Sequence, residues 1–184
     1  MSRASRVASV VTLWGCAMLC AGACSEASAD SPFAFPETLE AAHAPVVDPT
    51  WTFTHQDGVS QSLGDLAGHL VLVQRWATWC RPCVQELPSV AALVDAFRGQ
   101  RLRVLLLSDE SPDVVRRFAE QSGFRLPFVH AVTTVPSAFD VGGRLPATFL
   151  LDERGRLLHE FVGQADWNAP EVHAYLRGLL DLSH

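Results

Sequence analysis

Lysine is absent from this 184-residue chain, so all 14 basic residues are arginines, and 20 acidic residues outnumber them. The formal net charge at pH 7 is -6. A protein that binds the phosphate backbone of a nucleic acid needs a basic surface. Because the arginines cluster only at Arg101/Arg103 and Arg116/Arg117, the sequence argues against a nucleic-acid partner.

Cysteine is also scarce, and it is unevenly placed. Three of the five cysteines, Cys16, Cys20 and Cys24, fall within the first 24 residues, which leaves Cys80 and Cys83 for the rest of the chain. Two cysteines are too few for a disulfide framework. A structural zinc site typically takes four ligands, and the seven histidines show no H-x-x-x-H spacing. We therefore expect no disulfide framework, no metal site and no cofactor.

Residues 1–29 have the features of an export signal. Arg3 and Arg6 precede an apolar run over residues 7–19, and small residues follow it. This run is shorter than the roughly 20 residues that cross a bilayer comfortably, although an uncleaved anchor is one alternative. The sequence therefore predicts a protein that is exported from the cytoplasm.

Two exits from this signal are compatible with the sequence. Ala27-Ser28-Ala29 fits a cleavage site that releases a soluble protein beginning at residue 30. Ala21-Gly22-Ala23-Cys24 instead resembles a bacterial lipobox, with Cys24 as the lipidated residue, although it lacks the usual leucine. Both exits predict a periplasmic domain, soluble or membrane-anchored as a lipoprotein, in which a thiol pair is oxidised unless a partner reduces it.

The rest of the chain predicts a linker over residues 30–44 and a single α/β domain over residues 45–184. The linker is rich in Ala, Ser, Pro and acidic residues and has no periodicity. Runs such as LVLVQRW and LRVLLLS have the length and apolarity of buried central strands. We expect a mixed central sheet flanked by helices on both faces. The expected strands are 51–54, 59–62, 70–76, 102–108, 128–132, 147–151 and 156–162, and the expected helices begin near Pro82, Pro112 and Val172.

The pair Cys80 and Cys83 lies where a buried strand ends and a helix begins. Proline is well tolerated in the first helical turn, so Pro82 marks the start of the helix. The helix N-terminus favours a thiolate at Cys80, and Arg81 adds a positive charge beside it. Cys83, one turn further along, is suited to resolving a mixed disulfide. A redox pair fits this spacing better than a structural disulfide, which normally joins distant segments.

The segment "WATWCRPC", with Pro88 five residues after Cys83 and "RLPATFLLDERG" further along, resembles the thioredoxin superfamily. It is most similar to the exported TlpA-like and ResA-like thiol-disulfide proteins, over about residues 45 to 182. The resemblance implies a thioredoxin-like fold and a redox-active Cys80–Cys83 disulfide. It also implies a cis peptide bond before Pro146, which exposes the backbone of Leu145 to an extended client segment; a trans proline that enters a strand is the alternative.

Further site residues follow from the same resemblance. Glu86 matches the acid of C-x-x-C-x-x-E and would exchange a proton with Cys83, unless it is an ordinary solvated glutamate. Trp79 is expected to flank the thiol at the surface, with Arg81 and Pro82 in the client-binding region. Two positions depart from the family: Gln74 replaces the usual Asp or Asn, and Arg75 replaces the usual Phe. A buried arginine needs a partner, for which Asp109 and Glu110 are candidates.

The sequence therefore predicts a protein-disulfide oxidoreductase that reduces client disulfides and is recharged by a membrane electron donor of the DsbD or CcdA type. By resemblance, the clients are apocytochrome c or copper-site proteins undergoing maturation. A thiol oxidase or isomerase would use the same chemistry. A Cu(I) metallochaperone would use the same cysteines and a remote histidine, although copper carriers of this superfamily usually have C-x-x-x-C. The Pro-x-x-x-Thr-x-x-Cys motif of peroxiredoxins is absent.

Overall fold

The computed structural model describes residues 44–182. The predicted signal segment 1–29, the Cys24 lipidation site and all but the last residue of the predicted linker 30–44 lie outside the described residues. Within 44–182, no helix is long and apolar enough to cross a bilayer.

A mixed sheet of seven strands organises the described part of the chain. Its order is β2-β1-β5-β4-β3-β6-β7. The central strands β3, β4 and β5 are parallel, while β6 runs antiparallel to β3, and β1 runs antiparallel to β5. The strands are β1 (Thr52–His55), β2 (Ser60–Ser62), β3 (Leu70–Arg75), β4 (Leu102–Ser108), β5 (Phe128–Ala131), β6 (Ala147–Leu151) and β7 (Leu157–Val162).

Three α-helices connect or follow these strands: α1 (Arg81–Ala96), α2 (Pro112–Ser122) and α3 (Pro170–Asp181). Each has a proline in its first turn, where the missing N–H leaves no intrahelical bond unmade. Helix α1 continues past Pro88. Helix α2 ends at Gly123, whose φ of 74° is a left-handed conformation that glycine adopts readily.

The two faces of the sheet are covered by different kinds of helix. All buried apolar residues of α1, α2 and α3 belong to one core cluster, which packs on the face formed by Leu70, Leu72 and Trp76. The opposite face, with Val71 and Val73, packs against two short 3-10 helices, Leu63–Leu66 and Ser137–Phe139, and against strand β1. We call these the α-helical face and the 3-10 face.

The predicted α/β class, with a mixed sheet and helices on both faces, is confirmed. The expected strands 147–151 and 156–162 form the antiparallel hairpin β6–β7, and its turn is held by Asp152, whose Oδ1 accepts bonds from the backbone N–H groups of Arg154 and Arg156. The strand bounds differ from the expected ones by at most one residue at each end. Helix α3 begins two residues earlier than expected because Pro170 starts it, and a 3-10 helix capped by Ser62 follows β2.

Candidate active site

Strand β3 and helix α1 place the two cysteines at the end of the central strand. Cys80 is the N-cap residue of α1, and its Sγ accepts a bond from the Cys83 backbone N–H at 3.3 Å. The two side chains form a disulfide with their Cα atoms 5.3 Å apart. Cys80 is 5% exposed and Cys83 is fully buried. An attacking partner therefore reaches Cys80 before Cys83.

Glu110 holds the loop before Cys80 in place. From the sequence, Glu110 was expected only as a candidate partner for Arg75. Glu110 accepts bonds from the backbone N–H of Thr78 at 2.6 Å and from its Oγ1 at 2.7 Å. The next residue, Trp79, is 71% exposed, which agrees with its predicted surface position. Trp76 is buried and donates its indole N–H to the Leu106 carbonyl, so it belongs to the core.

Arg75 lies at the end of β3 with its side chain only 12% exposed. Its guanidinium pairs with Asp109, one of the two predicted candidates, and donates a second bond to the Phe139 carbonyl at 3.2 Å. Phe139 ends the second 3-10 helix. Arg75 thus joins the central strand to the chain segment that leads to Pro146.

A cleft of about 210 Å³ lies beside the cysteines, and Trp79, Leu145, Asp109 and the loop before Cys80 line it. The Leu145–Pro146 peptide bond is cis, as the resemblance implies. Leu145 is half-buried, whereas Arg81 and Pro82 are exposed at the start of α1. Of the predicted client-binding residues, Trp79 and Leu145 line this cleft, whereas Arg81 and Pro82 follow Cys80 in the first turn of α1.

Glu86 is 2% exposed, so the alternative of a solvated glutamate is wrong. Its Oε2 accepts bonds from the Ala165 backbone N–H at 3.0 Å and the Trp167 indole N–H at 3.3 Å, and its Oε1 accepts a bond from the Gln74 amide. Ser89 accepts the Trp167 backbone N–H. Sequence reasoning missed Trp167, although a buried tryptophan usually needs a partner for its indole N–H.

Burial raises the pKa of Glu86 from 4.5 to about 7, because a charged carboxylate loses its hydration there; the three donated hydrogen bonds only partly oppose this shift. Glu86 also contributes to the lining of an open surface cleft of about 410 Å³, with Gln85, Gln164 and Asp166. A buried carboxyl that titrates near neutral pH and borders a cleft can take up and release protons.

Within residues 44–182, no group of three or more His, Cys, Asp or Glu side chains is placed to hold a metal ion. The Cu(I) alternative therefore finds no third ligand of these types beside Cys80 and Cys83 in the described part of the chain.

Comparisons with known proteins agree with the fold and with the predicted class of enzyme, a thiol-disulfide oxidoreductase. The AhpC/TSA family profile matches residues 46–160. Thiol-disulfide oxidoreductase ResA from Geobacillus kaustophilus (strain HTA426) is 32% identical over 117 residues, which is 62% of this chain and 67% of that protein. The ResA of Bacillus anthracis is 29% identical over 131 residues, covering 70% and 74%.

Solved structures share the fold. A thiol:disulfide interchange protein of the thioredoxin family from Chlorobium tepidum TLS superposes with a TM-score of 0.61 at 22% identity, over 74% of this chain and 97% of that one. A thiol-disulfide isomerase from Corynebacterium glutamicum gives 0.62 at 21% identity, over 76% and 97%. At these identities the similarity shows a thioredoxin-like fold.

Proposed function

Since the chain belongs to the AhpC/TSA family and is a thiol-disulfide oxidoreductase, like its ResA relatives, we propose that it reduces disulfides in client proteins through Cys80 and Cys83. The observation that carries this proposal is the difference between the two sulfurs. Cys80 is at a helix N-terminus beside the exposed Trp79, and Cys83 is buried one turn further along the helix.

The reaction transfers two electrons to the client. The Cys80 thiolate attacks one sulfur of the client disulfide, which forms a mixed disulfide and releases the first client thiolate. Cys83 then loses its proton and attacks the Cys80 sulfur. The Cys80–Cys83 disulfide forms, the mixed disulfide breaks, and the second client sulfur leaves and takes up a proton.

Glu86 is the proposed partner for the Cys83 proton. It lies one turn after Cys83 on α1, where residues three apart share a helix face, and its pKa of about 7 suits proton exchange at neutral pH. Pro146 completes the proposed catalytic set, because its cis peptide bond shapes the backbone at Leu145, which lines the cleft.

The cleft between Trp79 and Leu145 is the proposed binding site for the client. An extended client segment would pair with the backbone at Leu145, while Trp79 supplies apolar contact area and Arg81 and Pro82 form the opposite rim. The proposed clients are apocytochrome c cysteines or copper-site proteins undergoing maturation.

The proposed location is the periplasm, on the basis of the signal-like segment 1–29. A membrane electron donor of the DsbD or CcdA type would return Cys80 and Cys83 to the dithiol. Lipidation at Cys24 would keep the protein beside that donor, whereas cleavage after Ala29 would release it.

The reduction potential of the Cys80–Cys83 couple tests the proposed direction of electron flow. The purified protein is equilibrated in thiol buffers of known potential, and tryptophan fluorescence reports the reduced fraction. We expect a value near that of thioredoxin, about -270 mV. A value near that of a strong oxidant, about -120 mV, would overturn the reductase proposal in favour of an oxidase. Titrating the reduced protein and its Cys83→Ser variant with Cu(I) tests the metallochaperone alternative.

A further inference from the structure

Two buried polar atoms on the α-helical face lack hydrogen-bond partners among the described residues. They are Oε1 of Gln74, which is fully buried, and Oγ1 of Thr148, which is 4% exposed. Gln74 on β3 and Thr148 on β6 are paired in the antiparallel register, so their side chains leave the same face and their Cβ atoms lie about 5 Å apart. An unpaired buried polar atom costs stability, which makes two neighbouring ones a feature to explain.

The surroundings of Glu86 determine where its carboxyl can carry a proton. Oε2 already accepts two N–H groups, from Ala165 and Trp167, and neither donor can accept a hydrogen bond. Oε1 faces the Gln74 amide group. Oε1 accepts only the Gln74 bond and has a lone pair free, so a proton on Glu86 sits on Oε1. The new O–H then needs an acceptor, whereas the neighbouring Gln74 group is a donor.

Rotation of the Gln74 amide by half a turn removes this conflict. The rotation exchanges Nε2 and Oε1, so that the carbonyl oxygen accepts the new O–H of Glu86. Nε2 then points to the side that Oε1 occupied. Because Gln74 Oε1 and Thr148 Oγ1 are not bonded to each other in the structure, the pairing also requires the Thr148 hydroxyl to turn toward the amide. A hydroxyl both donates and accepts, so it can then pair with either end of the amide.

We propose that Gln74 is a positioning residue whose side-chain amide turns over when Glu86 gains or loses a proton, with Thr148 pairing the amide end that Glu86 does not use. This inference rests on the proposed function, because it requires Glu86 to exchange a proton with Cys83. It assigns a role to an uncharged residue at the position where the family's usual residue is Asp or Asn.

In the resolving step, Cys83 gives its proton to Oε1 of Glu86. The Cys83 sulfur then forms the disulfide with Cys80, and the client sulfur leaves. Gln74 turns to accept the O–H. The proton then leaves through the cleft that Glu86 lines with Gln164 and Asp166, and Gln74 turns back to donate to the carboxylate.

Few other titratable side chains face Glu86 from strands β3 and β7 or from the loop after β7. Asp166 lines the same cleft from the loop after β7. His159 of β7 pairs with Leu150 on the same sheet face and is hydrogen-bonded to Tyr175 of α3. Arg75 of β3 alternates to the 3-10 face, where it pairs with Asp109. Asp166 and His159 are therefore the neighbours whose titration must be followed with that of Glu86.

Nuclear magnetic resonance on the purified oxidised protein tests the inference without a variant. The side-chain amide ¹⁵N–¹H signals of Gln74 and the carboxyl ¹³C signal of Glu86 are followed from pH 5 to pH 9, along with those of Asp166 and His159. We expect the Gln74 signals to shift with the same midpoint as Glu86. In Glu86→Gln, whose amide imitates the protonated acid, the Gln74 signals should stay at the acid limit throughout.

A variant at Gln74 provides a second readout. Gln74→Met keeps the volume and removes both polar ends, so the ionised Glu86 loses its charge-assisted bond. The Glu86 midpoint should rise by about one unit, a tenfold gain in proton affinity, and the pH profile of client reduction should move with it. Gln164→Met, in the same cleft but exposed, is the matched control and should move neither.

The outcomes separate the two proposals. A Glu86 carboxyl that titrates while the Gln74 signals and the Gln74→Met midpoint stay unchanged overturns the amide rotation and leaves the Glu86 proton exchange standing. A Glu86 that does not titrate between pH 5 and pH 9, together with an unchanged pH profile in Glu86→Gln, overturns both.

Discussion

The two faces of the central sheet bury different kinds of residue. On the α-helical face, three helices cover the sheet, and the fully buried Gln74 and nearly buried Glu86 lie inside the same layer as Cys83. On the 3-10 face, the buried residues are almost all apolar, with Phe53, Phe139 and Phe149 in ring contact with a neighbour. The 3-10 face gives the site its shape, and the α-helical face supplies its ionisable groups.

This division has a physical cause. A buried carboxyl needs donors on several sides, and only the α-helical face offers them, from a strand, a helix and a loop together. The 3-10 face instead ends in the Arg75–Asp109 pair, at the border with solvent, where Asp109 is 59% exposed. The exposed carboxylate of Asp109 keeps its hydration at this border, whereas burial inside the α-helical layer raises the pKa of Glu86.

Replacement of the attacking sulfur of Cys80 should have the largest effect on the rate of disulfide reduction. Cys80→Ser cannot form the mixed disulfide, so reduction of a protein disulfide should fall to the background rate. Stopped-flow assay of the reduced protein with a disulfide-bearing protein measures this. Cys83→Ser is the matched control: it should still form the mixed disulfide but should not resolve it. Measurable turnover in Cys80→Ser would contradict the proposed roles.

A cavity in the 3-10 face should cost stability and leave the chemistry intact. Phe149 is fully buried between Phe139 and the rest of that cluster, so Phe149→Ala should lower the free energy of unfolding by about 3 to 5 kcal/mol. Urea unfolding measures it. Phe149→Leu, which keeps most of the volume, should cost clearly less. A changed reduction potential in the fraction that remains folded would show that the two faces are not separable.

A charge-removing change in the α-helical face should alter the pH dependence of stability. Burial in the fold raises the pKa of Glu86 from its ordinary 4.5 to about 7. As pH rises through this window the unfolded chain loses the proton first, so the native protein loses stability and bears the full penalty above about pH 7. Glu86→Gln lacks this penalty.

We therefore expect Glu86→Gln to gain about 2 to 3 kcal/mol relative to the unsubstituted protein between pH 5 and pH 8. Urea unfolding of both oxidised proteins at the two pH values gives the difference. Glu120→Gln, on the exposed side of α2, is the control and should show almost no change. A difference that stays constant with pH would mean that the pKa of Glu86 is not raised in the fold.

The sequence was most informative about the α-helical face. Leu87 and Val90 recur at helical spacing and are both fully buried in α1, and the cysteine pair and Pro82 located the start of that helix. Local periodicity and turn chemistry carry such information. Asp109 could be offered as the partner of Arg75 because both residues follow neighbouring parallel strands.

The remaining features depend on contacts that no local pattern records. Trp167 donates to Glu86 across 81 residues of sequence, and the bond depends on how the loop after β7 returns over α1. Val135 and Phe139 pack on the 3-10 face from a segment without periodicity, so their burial could not be read from spacing. The strand order likewise follows from β1 joining the sheet beside β5, a long-range pairing.

The smallest effect on stability is expected for Trp79, which lines the cleft beside Leu145. Because its side chain is 71% exposed, Trp79→Ala should change the free energy of unfolding by less than about 0.5 kcal/mol. If the cleft beside Leu145 binds clients, the same change should slow reduction of a protein disulfide by about fivefold, since an aromatic contact contributes about 1 kcal/mol. Exchange with a small dithiol does not use the cleft and should keep its rate.

Val132→Ala changes another exposed apolar side chain, 58% exposed and just after the end of β5, and is the control. It should affect neither rate. Equal slowing of both reactions in Trp79→Ala would instead assign Trp79 to the sulfur chemistry, and Trp79 would then belong functionally to the α-helical face.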